Sequence, residues 1–239
     1  MLSFKSFLTE GVHDPAKLKA IFLAGGPGSG KSHVVNKVRG DLGFKMVNSD
    51  DLLELGMKKH GLDPKMPEHE TEKRDIVRKR AKELTGKKAH LYQQGRLGMV
   101  IDGTGKDFDE IHKKSEHLKS LGYDTHMLFV NTSLAVAHKR NLKRARSVPG
   151  HIVDHAWNKV QNNMGKFQDH FGRDNFTVVD NSNDGDESGA LDKLHKHIRR
   201  IATMDVKNPV GRDWIRRKNK SIQRGEHIPT NMPQKRKVV

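Results

Sequence analysis

An α/β fold with a five-stranded, mostly parallel sheet between helices is the architecture that the sequence predicts. Along most of the chain, short apolar runs with β-branched or aromatic residues alternate with longer stretches of helical character. A glycine-rich turn joins the first apolar run to the first helical stretch. Strands that alternate with helices form parallel crossovers, and helices then cover both faces of the sheet.

The predicted elements follow one another in a regular order. The strands cover residues 20–24, 44–47, 98–102, 125–130 and 176–179. The helical stretches cover residues 31–40, 50–60, 70–95, 107–121, 133–147, 151–171 and 187–203. Ligands of such sheets bind beyond the carboxyl ends of the strands, so we expect functional residues directly after each strand.

The turn after the first strand has the composition and spacing of a phosphate-binding loop. Its sequence, GGPGSGKS at residues 25–32, fits the pattern G-x-x-x-x-G-K-S known as Walker A. Glycines let backbone N–H groups face an anion, and the N-terminus of the next helix adds its positive dipole end. In this pattern Lys31 reaches the β- and γ-phosphates, and the Ser32 hydroxyl ligates Mg²⁺. We expect a nucleotide to contact Gly25, Gly26, Pro27, Gly28, Ser29, Gly30, Lys31, Ser32 and His33.

Acidic residues follow the second and third predicted strands, in VNSDD at residues 47–51 and IDGT at residues 101–104. These strand ends share one edge of a parallel sheet, so Asp50 and Asp102 should project toward the phosphate loop. A carboxylate there can accept a proton from an attacking hydroxyl, or it can hold Mg²⁺, the role that we assign to Asp102. Asp50 or Asp51 could instead cap the next helix, and we favour one in chemistry and the other in capping.

A cluster of arginines precedes a predicted break in the chain. Arg140 and Arg144 are four residues apart and therefore lie on one helical face, with Arg146 just beyond. The sequence VPG at residues 148–150 ends this helix. Such arginines can close over a transferring phosphate, and the alternative is a solvated basic helix face. Because a phosphate loop is present, we favour the lid, formed by Arg140 with either Arg144 or Arg146.

Charge separates a core from a tail. The net charge is +16, and residues 204–239 alone hold ten Lys or Arg and three Asp or Glu. This segment has several Pro and Gly residues and little periodicity, so we expect a basic, largely irregular tail. It would follow a domain at residues 18–203, which an N-terminal arm at residues 1–17 precedes. The tail is either a solvated end or an arm in which basic side chains bind nucleic-acid phosphates and Trp214 stacks on a base.

Composition restricts the setting of the protein. The chain contains no cysteine, which excludes disulfides and thiolate metal sites and agrees with a reducing compartment. No apolar run approaches the roughly 20 residues that span a bilayer, and the polar N-terminus does not resemble a secretory signal. We expect a cytoplasmic protein without a membrane partner, and the sequence favours no oligomeric state.

In sequence order, the Walker A loop, the N-x-D-D turn, the D-G-T after the third strand and the Arg-x-x-x-Arg segment resemble those of the small, AAA-type P-loop kinases. Within these kinases the pattern is most similar to the branch of the 5′-polynucleotide kinases and zeta-toxin-type kinases. The resemblance covers about residues 18–182. It implies a P-loop NTPase fold with a helical lid and an ATP-dependent, Mg²⁺-dependent phosphotransferase. The opening FKSFLTEG also resembles the N-termini of many tailed-phage proteins, which would make the host cytoplasm its location.

The resemblance also implies roles for individual residues. Asp50 would be the general base that accepts the proton of the substrate hydroxyl. Lys31 and Ser32 would act on phosphate and Mg²⁺, and Arg140 and Arg144 would be the lid arginines. The side chains that would face the acceptor are Asp50, Arg78, Arg80 and Thr104.

Two features depart from this branch. The aspartyl phosphatase motif D-x-D-x-T/V of some polynucleotide kinases is absent from the sequence, so we expect no phosphatase activity. Zeta-type toxins usually have Glu-Gly-Thr where this chain has Asp102-Gly103-Thr104, and the shorter side chain weakens the case for a sugar-nucleotide substrate.

Three hypotheses about function follow. The first is a kinase of the 5′-hydroxyl ends of polynucleotides, which the basic charge favours. The second is a kinase of a small acceptor such as a sugar nucleotide, acting as a toxin. The third is a nucleotide-binding structural protein without catalysis.

Overall fold

The computed structural model of the chain describes residues 14–31, 42–63, 67–143, 149–182 and 187–224. Its strands are β1 (Lys19–Ala24), β2 (Lys45–Val47), β3 (Met99–Asp102), β4 (Asp124–Asn131) and β5 (Phe176–Asp180). They form one sheet in the order β2-β3-β1-β4-β5, and every pairing is parallel. The predicted five-stranded sheet is confirmed, and within the described residues it is entirely parallel.

The helices connect the strands as crossovers. They are α1 (Asp50–Lys59), α2 (Thr71–Gln94), α3 (Phe108–Ser120), α4 (Leu134–Leu142), α5 (Gly150–Phe171), α6 (Glu187–Thr203) and α7 (Pro209–Gln223). The first six correspond to predicted helical stretches. The helix predicted over residues 31–40 lies, after Lys31, outside the described residues, as do Arg144 and Arg146. No described helix is long and apolar enough to cross a bilayer.

The sheet is buried on both faces, with β1 at its centre. All six residues of β1 are buried. Because side chains alternate along a strand, Ile21 and Leu23 pack on one face against a cluster that includes Ile198 of α6. Ala20 and Phe22 pack on the other face in a cluster that includes residues of α3, α5 and α7. The polar carboxyl ends of the strands therefore lie at the edge of a rigid, two-sided core.

Helix α7 corrects the expectation of a largely irregular tail, which is wrong for residues 209–223. The Asn208 side chain accepts the N–H of Val210, and Pro209 occupies the first turn, where its fixed φ suits a helix. Trp214 and Ile215 pack against the core cluster, so Trp214 is half-buried rather than free to stack on a base. The sequence pattern was weak because Gly211, which packs against Gly122, contributes no apolar side chain to this face.

Candidate active site

The phosphate loop follows β1 at the carboxyl edge of the sheet. Gly28 and Gly30 have φ angles of +76° and +88°, a left-handed backbone that favours glycine. A Cβ atom on Gly28 would lie 2.5 Å from the carbonyl oxygen of Ala137 in α4. Glycine at this position therefore lets the loop approach the helix that carries Arg140.

Lys31 folds back over its own loop. Its ammonium donates to the carbonyl oxygens of Gly25 and Gly26, the latter over 3.1 Å, and to the Ser29 hydroxyl over 3.4 Å. Charged phosphate oxygens are stronger acceptors than these carbonyls. The ammonium thus sits over the turn in which a polyphosphate would bind. Ser32 and His33 lie outside the described residues, and Pro27 is half-buried in the turn.

Asp102, at the end of β3, carries an unsatisfied buried oxygen. Its Oδ2 accepts a hydrogen bond of 3.1 Å from the Asn48 amide, whereas its buried Oδ1 has no hydrogen-bond partner among the described residues. Burial raises the pKa of Asp102 above its usual value, and the carboxylates of Asp50 and Asp51 raise it further. The Lys31 ammonium lowers this pKa, but by less than burial raises it. A hard cation or its bound water would satisfy this oxygen and favour the charged form, so the site fits Mg²⁺.

Asp50 begins α1, near enough to Asp102 for its carboxylate to raise the Asp102 pKa. Its backbone N–H donates to Asn48 Oδ1 over 2.8 Å, and the side chain of the N-cap residue Ser49 makes no capping hydrogen bond. Asn48 thus satisfies the start of the helix that we expected Asp50 or Asp51 to cap. The Asp50 carboxylate is exposed at the carboxyl edge of the sheet, where an acceptor hydroxyl can reach it.

Arg140 belongs to a hydrogen-bond chain that reaches the phosphate loop. Its Nη1 donates to the carbonyl oxygen of Asn181 over 2.9 Å, and the Asn181 amide donates to the carbonyl oxygen of Ser29 over 2.8 Å. Thr132 also donates to the Asn181 carbonyl, over 3.1 Å. Asn181 thereby links α4, the end of β5 and the loop. Asn181 was not among the predicted site residues, although it directly follows a strand, as Asp102 ends one.

The loop after β3 lies against the phosphate loop. The carbonyl oxygen of Thr104 accepts the N–H of Gly25 over 3.1 Å, and the Thr104 side chain is exposed. The buried Asn163 amide of α5 donates to the carbonyl oxygens of Gly105 and Lys106, both over 3.0 Å. Asn163 had no sequence signal, because its helical position matches that of an ordinary core residue.

The two arginines expected to face the acceptor differ in position. Arg78 and Arg80 form ion pairs within α2, with Asp75 over 3.2 Å and Glu83 over 3.3 Å. Thr85 donates to the carbonyl oxygen of Asn48 over 3.5 Å. Seven residues make about two helical turns, so Arg78 shares the face of Thr85 and Arg80 does not. A role of Arg78 or Arg80 in binding the acceptor stays a prediction.

The sheet order, the glycine loop after the central strand and the acid at the neighbouring strand end define a P-loop NTPase fold. Residues 21–167 match the AAA_33 family, described as an AAA domain. This match spans more than half of the chain, and the chain belongs to that family. No curated protein matches the sequence significantly.

Solved structures with the same fold include three of interest. A protein of Chloroflexus aurantiacus described as a candidate kinase has a TM-score of 0.53 at 16% identity, covering 76% of this chain and 97% of that chain. A chain of the Pnkp1/Rnl/Hen1 RNA repair complex has a TM-score of 0.51 at 20% identity. The match covers 66% of this chain and 48% of that chain. A structure of the PezAT toxin–antitoxin system of Streptococcus pneumoniae has a TM-score of 0.50 at 17% identity. The match covers 92% of this chain and 91% of that chain. The resemblance to small P-loop kinases of this branch is confirmed at the level of the fold.

Proposed function

We propose that the protein is an ATP-dependent kinase that transfers the γ-phosphate to the 5′-hydroxyl end of a polynucleotide. The observation that supports phosphotransfer is the grouping of the Lys31 ammonium, the unsatisfied Asp102 oxygen and the exposed Asp50 carboxylate. Together they supply a phosphate cradle, a cation ligand and a base at one sheet edge, which are the parts that phosphoryl transfer requires.

In this mechanism the protein positions the reacting groups and neutralises phosphate charge, and it forms no covalent bond to them. The Asp50 carboxylate accepts the proton of the acceptor hydroxyl. The oxygen of that hydroxyl forms a bond to the γ-phosphorus, while the bond from the γ-phosphorus to the β-phosphate oxygen breaks and ADP leaves. Lys31 stabilises the charge on the β- and γ-phosphates, and Arg140 stabilises the transferring group from α4. When bound, Mg²⁺ would neutralise phosphate charge, with Asp102 and Ser32 as the residues that would hold it.

Charge supports a polynucleotide as the acceptor. A net charge of +16 is larger than a small anionic acceptor requires, whereas a polynucleotide offers many phosphates. One structure of the same fold belongs to an RNA repair complex. A small acceptor is the alternative, because the toxin–antitoxin structure matches this chain over 92% of its length. A structural role without catalysis is the third hypothesis.

The deciding experiment offers γ-labelled ATP and Mg²⁺ with 5′-hydroxyl DNA, 5′-hydroxyl RNA or a panel of sugar nucleotides. We expect label on a nucleic-acid end, and no label with the Lys31→Ala variant, because that variant loses the ammonium over the loop. Label on a sugar nucleotide alone would establish the small-acceptor hypothesis. ATP binding without label on any acceptor would favour the structural role, and unchanged turnover by Lys31→Ala would refute the assignment of the loop.

A further inference from the structure

A basic groove of about 730 Å³ lies between residues 205–207 and one face of α7. Its lining includes the cationic side chains of Lys207, Arg212, Arg216 and Lys220, against the single carboxylate of Asp205 among the described residues. Amides of Asn219 and Gln223 complete this face. The groove thus combines a strong positive charge with neutral hydrogen-bonding groups and the apolar side chains of Val206 and Ile215.

The helix spaces these cations evenly. Arg212, Arg216 and Lys220 are each four residues apart, which puts them on one stripe at intervals of about 6 Å. All three are exposed. Arg216 also contacts Asp213, which pairs with Arg217 over 2.9 Å on the neighbouring face. A row of separated cations suits a ligand with repeated negative charges better than it suits one compact anion.

The groove is held rigidly at the amino edge of the sheet, opposite the phosphate loop. The buried Lys19 ammonium, at the start of β1, donates to the carbonyl oxygen of Asp205 over 3.0 Å. The Asp124 carboxylate, at the start of β4, accepts the N–H groups of Lys207 and Asn208, both over 2.8 Å. Since β1 has six residues, the two edges are about 20 Å apart.

We propose that this groove binds the sugar–phosphate backbone of a single-stranded polynucleotide, at a distance from the end that reacts at the phosphate loop. The proposal rests on the polynucleotide kinase function proposed above. A strand with the stacked rise of about 3.4 Å per nucleotide needs about six nucleotides to span the two edges. Binding should therefore depend on acceptor length, and the groove should serve long acceptors only.

The test compares 3′-labelled, 5′-hydroxyl oligonucleotides of about 4 and about 24 nucleotides, by fluorescence anisotropy and by phosphate transfer. The stripe variant combines Arg212→Ala, Arg216→Ala and Lys220→Ala. Three exposed lysines of α3 and α5 supply a control with the same loss of charge, in the combination Lys113→Ala, Lys159→Ala and Lys166→Ala. Thermal unfolding confirms that both variants are folded.

We expect the stripe variant to bind the long strand at least about tenfold more weakly than the control does, with equal transfer to the short strand. Its slope of log K against log salt should be shallower by about 2, since each single-strand phosphate contact contributes about 0.7. Equal affinity and slope for the two variants would overturn the proposal and leave the kinase function intact. Stripe-dependent binding without transfer would uphold the groove and refute the function. Binding to anionic lipid vesicles but not to the long strand would assign the groove to a membrane surface and overturn the proposal.

Discussion

The Asn48 amide donates a hydrogen bond to Asp102 across 3.1 Å and so joins the ends of β2 and β3 beside the phosphate loop. The same Asn48 side chain accepts the N–H of Asp50. One residue therefore fixes both the orientation of the buried carboxylate and the start of the helix that carries the exposed one. The other Asp102 oxygen is buried and has no hydrogen-bond partner among the described residues.

Asp102→Asn should stabilise the nucleotide-free protein while it impairs transfer. A carboxyl with a raised folded-state pKa stabilises the fold less as pH rises through its unfolded and folded pKa values, so at pH 7 the charge opposes folding. The amide keeps an oxygen for Asn48, and we expect the free energy of unfolding to rise. Transfer should fall roughly 100-fold or more.

Thermal unfolding with and without Mg·ATP, together with transfer assays, measures both effects. Asp169→Asn, on the exposed side of α5, is the matched control. A less stable nucleotide-free Asp102→Asn protein with full activity would identify Asp102 as a structural residue.

Asp50→Asn should separate binding from chemistry. The carboxylate is exposed and makes no described contact with the loop, so ATP affinity should stay nearly unchanged. Loss of a general base should reduce transfer by roughly 10²–10⁴-fold. Asp51→Asn, one residue further along α1, is the control, and damage from that change instead would assign the base to Asp51.

Asn181→Ala should weaken nucleotide binding indirectly, because the Asn181 side chain supports the phosphate loop. It removes the 2.8 Å hydrogen bond to the Ser29 carbonyl and leaves the backbone oxygen that Arg140 uses. A hydrogen bond of this kind contributes about 1 kcal/mol, so we expect ATP to bind about fivefold more weakly. Calorimetric titration with ATP checks this, with exposed Val178→Ala on the preceding strand β5 as control. An unchanged affinity would mean that the loop holds its shape without this bond.

His126 should make the protein sensitive to acid. Burial lowers the pKa of His126 to about 4, and the positive charge of Lys19 is the next largest cause. The Asp124 carboxylate raises this pKa, whereas His197 and Lys207 lower it further. A histidine with a lowered folded-state pKa stabilises the fold fully above its unfolded pKa of about 6.5 and less as pH falls. We expect the free energy of unfolding to drop by about 2 kcal/mol from pH 7 to pH 5 through this residue.

Urea unfolding across this pH range measures the effect. His126→Leu removes the titrating group and should flatten the profile, whereas exposed His155→Gln should not. Identical profiles for wild type and His126→Leu would show that other groups cause the acid sensitivity.

The elements that sequence predicted best are those with strong local signals. The buried strands were found because apolar runs between helices have no other stable arrangement, and the phosphate loop because glycines at fixed spacing leave a clear pattern. Asp102 was predicted from its place at a strand end. Asn181 also lies at the carboxyl end of a strand, but an asparagine at such a position is common in ordinary turns and therefore does not indicate a site residue. Asn48 plays two roles that only the three-dimensional meeting of β2, β3 and α1 reveals.

Helix α7 was missed for a different physical reason. Its stabilisation comes from distant partners, chiefly the start of β4 and the core cluster that receives Trp214. Local periodicity does not register such contacts, so basic residues and breakers dominated the pattern.

The clamp of Lys19, Asp124 and the segment before α7 has a consequence for where the chain can be shortened. A protein ending at residue 203 would lose the Asp205 carbonyl that the buried Lys19 ammonium uses and would expose apolar surface that Trp214 and Ile215 cover. Such a truncation would disturb the central strand of the sheet, and any loss of ligand binding would report misfolding. A truncation designed to remove basic charge should therefore keep residues 204–223, which contain this clamp and α7.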